Sequence, residues 1–365
     1  MSMRSALRDL RYHAVARSLR RSASIADALA RMRFVQLDPI RAPARAADLI
    51  LRQRVDGYRA GDLDRAYPEV GLVEDYLHVY GVLTPEARAL LHPRSGALRF
   101  RVEHEHPRLA SRVLAHVARQ GETHPRDLVV LGRHTTTSGW GSNSAATTRV
   151  LEALHFRGKL HVARRANGIK VYALASAVGS SRSPAERAQE ILWLLLDLYA
   201  PLPEASFREL SRMVTESSLS PAQRARALAA FAKRTDVARH DADGATWLMP
   251  AGETLEEIGD QRVRFLAPFD PVVWDRRRFE RFWSWEYRLE AYTPPAKRKF
   301  GYYALPMLWR DDVIGWVNAQ AREGSLIVAP GYVRAAPKSA AFRRELAEEV
   351  ERLRIFVGVH RVELR

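Results

Sequence analysis

A module of helical segments followed by a tight β-hairpin recurs along this 365-residue chain, and it restricts the possible fold more than any other feature. The clearest copy runs from about Arg108 to Leu174. Apolar residues at helical spacing stop at Gly121, Pro125 suits the first turn of a second helix, and a third helix is predicted over residues 145–156. β-forming residues then flank an Asn-Gly pair, which predicts a hairpin. Three helices and a basic hairpin are typical of a winged helix-turn-helix that enters a DNA groove, although a winged helix that makes only protein contacts remains an alternative.

Two further copies are predicted from the same signals. One runs from Pro184 to about Pro250 and ends in a hairpin that turns at residues 241–244, and the other occupies the first hundred residues, with a strand within 76–83. Their predicted helices span residues 185–199, 204–213 and 221–233 in the former copy, and 5–21, 25–33 and 39–55 in the latter.

The last hundred residues have a different texture, rich in Trp, Tyr, Val and Gly from Arg262 onward. They predict a β-rich domain, either a small barrel or a curled sheet, closed by a helix over 339–354 and a strand over 356–362. We therefore predict an α+β fold of tandem winged helix-turn-helix modules with a C-terminal β-barrel-like domain. The predicted boundaries are 1–105, 106–178 and 179–258 for the three modules, and 259–365 for the β-rich domain.

The charge balance indicates the class of partner. The chain has 58 Lys and Arg against 42 Asp and Glu, which gives a net charge of +16. Such an excess favours a polyanion, either nucleic acid or an anionic membrane surface. No stretch approaches the roughly 20 apolar residues of a membrane span, so we expect a cytoplasmic, nucleoid-associated protein that does not enter a membrane.

Several kinds of chemistry are excluded by what the sequence lacks. The chain contains no cysteine, which removes disulfides, zinc fingers, iron–sulfur clusters and thiol nucleophiles. It contains no P-loop, dinucleotide fingerprint, HExxH or Gly-x-Ser-x-Gly sequence. His104-Glu105-His106 has metal-binding residue types, but a surface position before Pro107 is the better interpretation. We expect no metal and no small-molecule cofactor.

The segment Gln36-Leu37-Asp38-Pro39 has two interpretations. Pro39 disfavours helical backbone at Asp38, and residues two apart on an extended segment point the same way, so Gln36 and Asp38 can converge. Alternatively, Asp38 is the N-cap of a helix whose first residue is Pro39.

The chain contains, in this order, Gln36-Leu37-Asp38 with Ile40 and Arg45, Ser138-Gly139-Trp140 with Arg149 to Glu152, Ala267 to Arg276, Tyr287 to Pro294, and Lys297 to Tyr302. These segments resemble those of bacterial crosslink-repair DNA glycosylases of the AlkZ/YcaQ group, and the resemblance covers nearly the whole chain in the same order. In one respect the chain departs from the family: residues 75–81 lack the His-Glu pair of an aromatic-x-His-Glu-Ala segment, which leaves open the range of substrates accepted beside this segment, near His78.

The resemblance implies tandem winged helices braced by a C-terminal β-barrel, and a monofunctional glycosylase that removes N7-alkylated purines from double-stranded DNA and opens interstrand crosslinks. Asp38 would act as base and electrostatic stabiliser, and Gln36 would hold the attacking water.

Two groups of basic residues are candidates for binding the DNA. Arg41, Arg45 and Arg52 would share one face of the helix after Asp38 and contact DNA phosphates there. Alternatively, this face is simply solvated, and Asp48 forms an ion pair with Arg45 or Arg52. Lys297, Arg298 and Lys299 would form the tip of a hairpin that points toward the duplex, or simply a solvated turn.

A winged-helix transcription regulator without catalysis is the alternative function. Regulators usually dimerise, but this sequence has no coiled-coil heptads or dimerisation arm, so we expect a monomer.

Overall fold

The computed structural model describes residues 3–94, 100–132, 134–137, 143–176, 181–253 and 261–365, without the side chains of residues 3–5, 68, 69 and 143. The chain forms two compact units. Unit 1 comprises residues 1–71, 193–210 and 232–365, and unit 2 comprises residues 72–192 and 211–231. The predicted division into four modules follows the order of elements rather than these units, and it stays a prediction.

The N-terminal part of unit 1 contains four helices and a short strand. Ser24 begins the second helix by accepting a hydrogen bond from the backbone N–H of Asp27. The predicted helix over 39–55 is wrong at its start, because Pro39 and Pro43 lack N–H donors and restrict the residues before them. The elements are α1 (Met3–Ser18), α2 (Ile25–Met32), β1 (Phe34–Gln36), α3 (Ala46–Leu51) and α4 (Asp62–Val70).

Unit 2 contains the clearest predicted module, and its order of elements is confirmed, with a 3-10 helix as the second helix. Asn167 and Gly168 both have positive φ, as a two-residue hairpin turn requires. Buried Val113, Val117 and Leu151 form the centre of its apolar core. The elements are β2 (Val73–Tyr76), β3 (Tyr80–Leu83), α5 (Pro85–Leu91), α6 (Arg101–Glu105), α7 (Leu109–Gln120), the 3-10 helix Pro125–Leu131, β4 (Thr135–Thr137), β5 (Asn143–Ala145), α8 (Ala146–Phe156), β6 (Leu160–Ala166) and β7 (Ile169–Leu174).

The next predicted copy also forms its helices and hairpin. Asp243 and Gly244 have positive φ at the turn, and the three strands associate in the order β8-β10-β9. The designation of these copies as winged helices stays a prediction. The elements are α9 (Pro184–Tyr199), β8 (Leu202–Pro203), α10 (Glu204–Thr215), α11 (Pro221–Ala232), β9 (Val237–Ala242) and β10 (Ala245–Pro250).

The C-terminal part of unit 1 is built on a five-stranded sheet with the order β11-β12-β13-β14-β15. The order is linear and leaves β11 and β15 as edge strands. Of the two predicted forms, the structure is therefore the curled sheet and not the closed barrel. The last strand begins later than predicted, because the last helix continues to Val357 and ends at Gly358 with a φ of 74°. The elements are β11 (Val263–Phe265), α12 (Arg276–Trp283), the 3-10 helix Pro295–Lys297, β12 (Leu305–Trp309), β13 (Asp312–Arg322), β14 (Ser325–Tyr332), α13 (Ala340–Val357) and β15 (Arg361–Leu364).

A buried ion pair joins the N-terminal part of unit 1 to its C-terminal part. The Arg54 guanidinium donates to both carboxylate oxygens of Asp270 at 2.7 and 3.0 Å, and both side chains are almost fully buried. Arg54 also donates to the carbonyl of Ile50, and Asp270 accepts from the backbone N–H of Val272. Nearby, buried Glu349 pairs with Arg52 at 2.8 Å. Among the described helices, none is long and apolar enough to cross a lipid bilayer.

We expect Asp270→Ala to lower the free energy of unfolding by about 3–5 kcal/mol, because it leaves the buried Arg54 charge uncompensated. Arg208→Ala, which removes an exposed pair with Glu204, should change it by less than about 1 kcal/mol. Urea unfolding of the two variants and the unaltered chain measures both. Equal losses in the two variants would contradict a structural role for the buried pair.

Candidate active site

The segment that holds Gln36 and Asp38 is extended rather than helical. Gln36 ends β1, and the first helix after it begins only at Ala46, with Arg45 in the N-cap position. The Asp38 Oδ1 atom accepts a hydrogen bond from the backbone N–H of Ile40 at 2.9 Å, which closes a short turn. The alternative interpretation of Asp38 as a helix N-cap is therefore wrong.

Asp38 carries a carboxylate that no cation neutralises within the described ranges. Its side chain is half-buried. Burial raises the pKa of the Asp38 carboxyl, and the hydrogen bond from Ile40 offsets part of that rise. A partly desolvated carboxylate without a counter-ion is a better base than an exposed one, and it can respond to positive charge that develops beside it.

Gln36, two residues before Asp38 in the sequence, has an unused acceptor. Its Oε1 atom is buried and has no hydrogen-bond partner among the residues that the structure describes. Buried polar atoms normally have partners, so this oxygen is available to a water or a substrate group. The Tyr303 hydroxyl, which no sequence motif singled out, is likewise buried without a hydrogen-bond partner among the described residues, and the charge of Asp38 contributes to the raised pKa of this phenol. Its only sequence signal is its position directly after the basic segment, where the chain enters β12.

The three arginines after Asp38 do not share a helix face, because α3 begins after two of them. Arg41 is exposed. Arg45 pairs with Asp48 at 3.1 Å and with Asp64 at 2.9 Å, so the alternative of a local ion pair is observed. The Arg52 side chain is 5% exposed and pairs with Glu349, which places it in the interior network and away from a surface that DNA could reach.

The basic segment is a compact loop and not the predicted hairpin. Glu290 holds it by accepting hydrogen bonds from the backbone N–H groups of Lys299, Phe300 and Gly301 at 2.9, 2.7 and 3.2 Å. Arg298 is half-buried: its guanidinium donates to the carbonyl of Thr293 at 2.8 Å and lies over the ring of Tyr302. Lys297 and Lys299 are exposed. The two lysines are therefore the members of this segment that can meet a polyanion.

Unit 2 contains the segment that departs from the resembling family. Asp75 is fully buried and accepts hydrogen bonds from Arg88 at 3.1 Å and Arg94 at 2.9 Å, with His92 at 2.7 Å. Desolvation lowers the pKa of His78 to about 3, so this histidine is neutral at pH 7. Ser138-Gly139-Trp140 lies outside the described residues.

One sizeable cavity of unit 2 lies beside α8. It has a volume of about 330 Å³ and is lined by the rings of Tyr76, Phe100 and Phe156 and by the pair Arg149–Glu152. Gln36 and Asp38 belong to unit 1. Across the described ranges, no group of three or more His, Asp or Glu side chains is placed to hold a metal ion.

Comparison with known proteins identifies the family. Residues 29–356 match the family model described as DNA glycosylase AlkZ-like. This chain belongs to the AlkZ-like DNA glycosylase family. Its fold is similar to that of the Streptomyces sahachiroi DNA glycosylase AlkZ, with a TM-score of 0.67 and 16% sequence identity over 98% of each chain. The family model confirms the resemblance noted in the sequence, and the structural match shows the AlkZ-like fold.

We expect Asp38→Asn in this AlkZ-like protein to leave the melting temperature at pH 7 unchanged or higher. Because the folded-state pKa of Asp38 is raised, ionisation disfavours folding at pH values above that pKa, and the disadvantage disappears as pH falls below the unfolded value. The Asn amide oxygen can still accept from Ile40. The difference in melting temperature between variant and unaltered chain should shrink on acidification, as calorimetry at several pH values measures.

Ser24→Ala serves as the control, because Ser24 is a true helix cap. It should lower the free energy of unfolding by about 0.5–2 kcal/mol. A similar loss in Asp38→Asn would contradict the description of Asp38 as a half-buried, partly desolvated carboxylate.

Proposed function

We propose that this protein hydrolyses the N-glycosidic bond of N7-alkylated purines in double-stranded DNA, with Asp38 and Gln36 activating the water. Membership of a DNA glycosylase family supports the reaction class. The observation that carries the assignment to these residues is the half-buried Asp38 carboxylate, which has no cation partner in the described chain and a raised pKa. Perturbed carboxylates of this kind are typical of active sites.

The chemistry of the bond explains why one carboxylate is sufficient. Cleavage passes through an oxocarbenium-like sugar, and a nearby carboxylate stabilises that cation and accepts a proton from the attacking water. An N7-alkylated purine is already cationic, so it departs as a neutral base without an acid to protonate it. The oxygen–C1′ bond forms while the C1′–N9 bond breaks, and the electron pair of that bond passes to the purine.

The same chemistry extends to crosslinks joined through N7 of purines. Each bridging purine carries the same positive charge and the same glycosidic bond, so hydrolysis releases the base from one strand and leaves an abasic site. Water as the nucleophile makes the enzyme monofunctional, because no amine of the protein forms a covalent intermediate with the sugar.

Exposed cations of unit 1 are the proposed DNA contacts. Arg41 lies three residues after Asp38, and Lys297 and Lys299 are exposed on the Glu290-held loop. The net charge of +16 provides long-range attraction to a polyanion. We propose that the protein acts as a monomer, and that Arg45, Arg52 and Arg298 support the structure through the contacts described above.

Asp38→Asn should reduce excision from a duplex that contains N7-methylguanine by about 10²-fold or more while DNA affinity is retained, because an amide accepts no proton. Gln36→Ala should cost less, since other groups can partly replace its hold on the water. Alkali-labile abasic sites measure the rate, and Asp27→Asn, at an exposed position of helix α2, is the matched control.

Two results would reject this assignment. Normal excision by Asp38→Asn would show that the base is another residue. DNA binding without excision of any alkylated purine by the unaltered protein would favour the non-catalytic regulator.

DNA binding should depend strongly on salt, with a slope of log K against log salt of about −4 to −8 if roughly five to nine phosphates are contacted. Replacing Lys297 and Lys299 by Ala should reduce the magnitude of this slope by about 2 at an unchanged melting temperature. Lys233→Ala/Lys338→Ala removes the same charge from other exposed positions and should change the slope less. Fluorescence anisotropy at several salt concentrations measures it, and equal slopes in both double variants would assign the loop to a solvated turn.

A further inference from the structure

The loop held by Glu290 presents two aromatic rings to solvent in addition to its cations. Tyr292 is 77% exposed and Tyr302 is 45% exposed, and the same loop carries the exposed Lys297 and Lys299. A single exposed aromatic ring is ordinary on a protein surface. Two exposed rings and two exposed cations on one loop are a combination that packing does not explain. We name this set the aromatic–basic patch, and its members are Tyr292, Lys297, Arg298, Lys299 and Tyr302.

Hydrogen bonds on both sides of Tyr292 hold it beside the basic segment. The Glu290 carboxylate accepts from the backbone N–H of Lys299 at 2.9 Å. The carbonyl of Thr293 accepts from the Arg298 guanidinium at 2.8 Å. Because its two flanking residues both bond to the basic segment, Tyr292 lies next to that segment in space and not only in sequence.

The remaining part of the patch is fixed from its interior side. The Arg298 guanidinium lies over the ring of Tyr302, 5.1 Å from the ring centre. Phe300, between them, packs edge-to-face against Trp285 at 5.3 Å and Trp316 at 5.1 Å. The exposed rings are therefore carried by an anchored backbone, and rigid aromatic side chains on such a backbone lose little conformational entropy when they bind.

Nucleic acid is the partner whose chemistry matches both kinds of side chain in the patch. Lysines bind backbone phosphates, and aromatic rings stack on the faces of bases. Membership of a DNA glycosylase family favours DNA over the other polyanions that a basic surface attracts. Within an intact duplex the faces of each base are covered by its neighbours, so a side-chain ring can stack only where a base has lost its place in the stack.

We propose that Tyr292 stacks on an unpaired base of the DNA while Lys297 and Lys299 hold the adjacent phosphates, an inference that rests on the proposed DNA-directed function. Removing a nucleotide from the stack costs free energy, and a ring that replaces the lost stacking partner recovers part of it. The patch thereby distinguishes DNA with an unpaired base from regular duplex, which phosphate contacts alone do not.

Tyr292→Ala tests this role with two duplexes that differ only in a single bulged nucleotide. We expect the affinity for the bulged duplex to fall by about 5- to 150-fold, the range for the loss of one base–aromatic stack. The affinity for the fully paired duplex should change far less. The slope of log K against log salt should stay the same, because no phosphate contact is lost. Fluorescence anisotropy measures both quantities.

Two variants serve as controls. Tyr292→Phe keeps the ring and should retain the preference for the bulged duplex. Leu364→Ala removes another apolar side chain, 67% exposed on β15, and should leave both affinities unchanged. The melting temperature of all three variants should match that of the unaltered chain, because each altered side chain is exposed.

Several outcomes would overturn the proposal. They are an unchanged affinity of Tyr292→Ala for the bulged duplex, an equal loss on the two duplexes, and a loss that Tyr292→Phe shares. Weaker binding of Tyr292→Ala to phosphatidylserine vesicles with unchanged DNA affinities would instead assign the patch to a lipid surface.

The fate of the glycosylase function is measured separately. These assays report binding, so an unaltered protein that binds the bulged duplex through Tyr292 but excises nothing would reject only the proposed catalysis. Normal excision together with unchanged affinities in Tyr292→Ala would reject only the stacking role.

Discussion

The ion pair between Arg54 and Asp270 is the interaction on which the proposed active site depends. It joins the turn after α3 to the segment before α12, positions more than two hundred residues apart in the sequence. Arg54 also donates to Ile50 within α3, so the pair fixes the helix that follows the Gln36–Asp38 segment. A buried pair contributes little net stability once desolvation is counted, but breaking it is costly. Its effect here is to exclude other arrangements of these two segments in unit 1.

The charged side chains that support unit 1 are paired with opposite charges, whereas the carboxylate of the proposed site is not. Arg52 has Glu349, Arg45 has Asp48 and Asp64, and Arg54 has Asp270. Asp38 lies close in sequence to all three arginines, yet none of them pairs with it. The fold therefore keeps a desolvated carboxylate unneutralised while it neutralises its neighbours. An unpaired, partly buried charge lowers the stability of the fold. Groups of this kind are characteristic of functional sites, where activity requires side chains that do not favour folding.

The features that the sequence predicted well are those set by local chemistry. The two hairpins turn at Asn167-Gly168 and Asp243-Gly244, because these residues tolerate the positive φ that a two-residue turn requires. The start of α3 was missed because a helical pattern was extended across Pro39 and Pro43, which prevent it. Long-range partners were not predictable, since Arg52 and a surface arginine look alike until Glu349 is placed beside one of them. The Tyr303 hydroxyl was missed for a related reason, because the lack of a partner can be recognised only in three dimensions.

The way in which Glu290 holds its loop has a consequence for protein engineering. The carboxylate contacts backbone N–H groups at residues 299–301, so the shape of the loop does not depend on which side chains occupy positions 297 and 299. Any residue except proline at 299 retains the anchoring N–H. Under the proposed role of Lys297 and Lys299 as DNA contacts, the two positions can therefore be varied to tune how long the protein stays on DNA, while the interior end of the same loop stays unchanged.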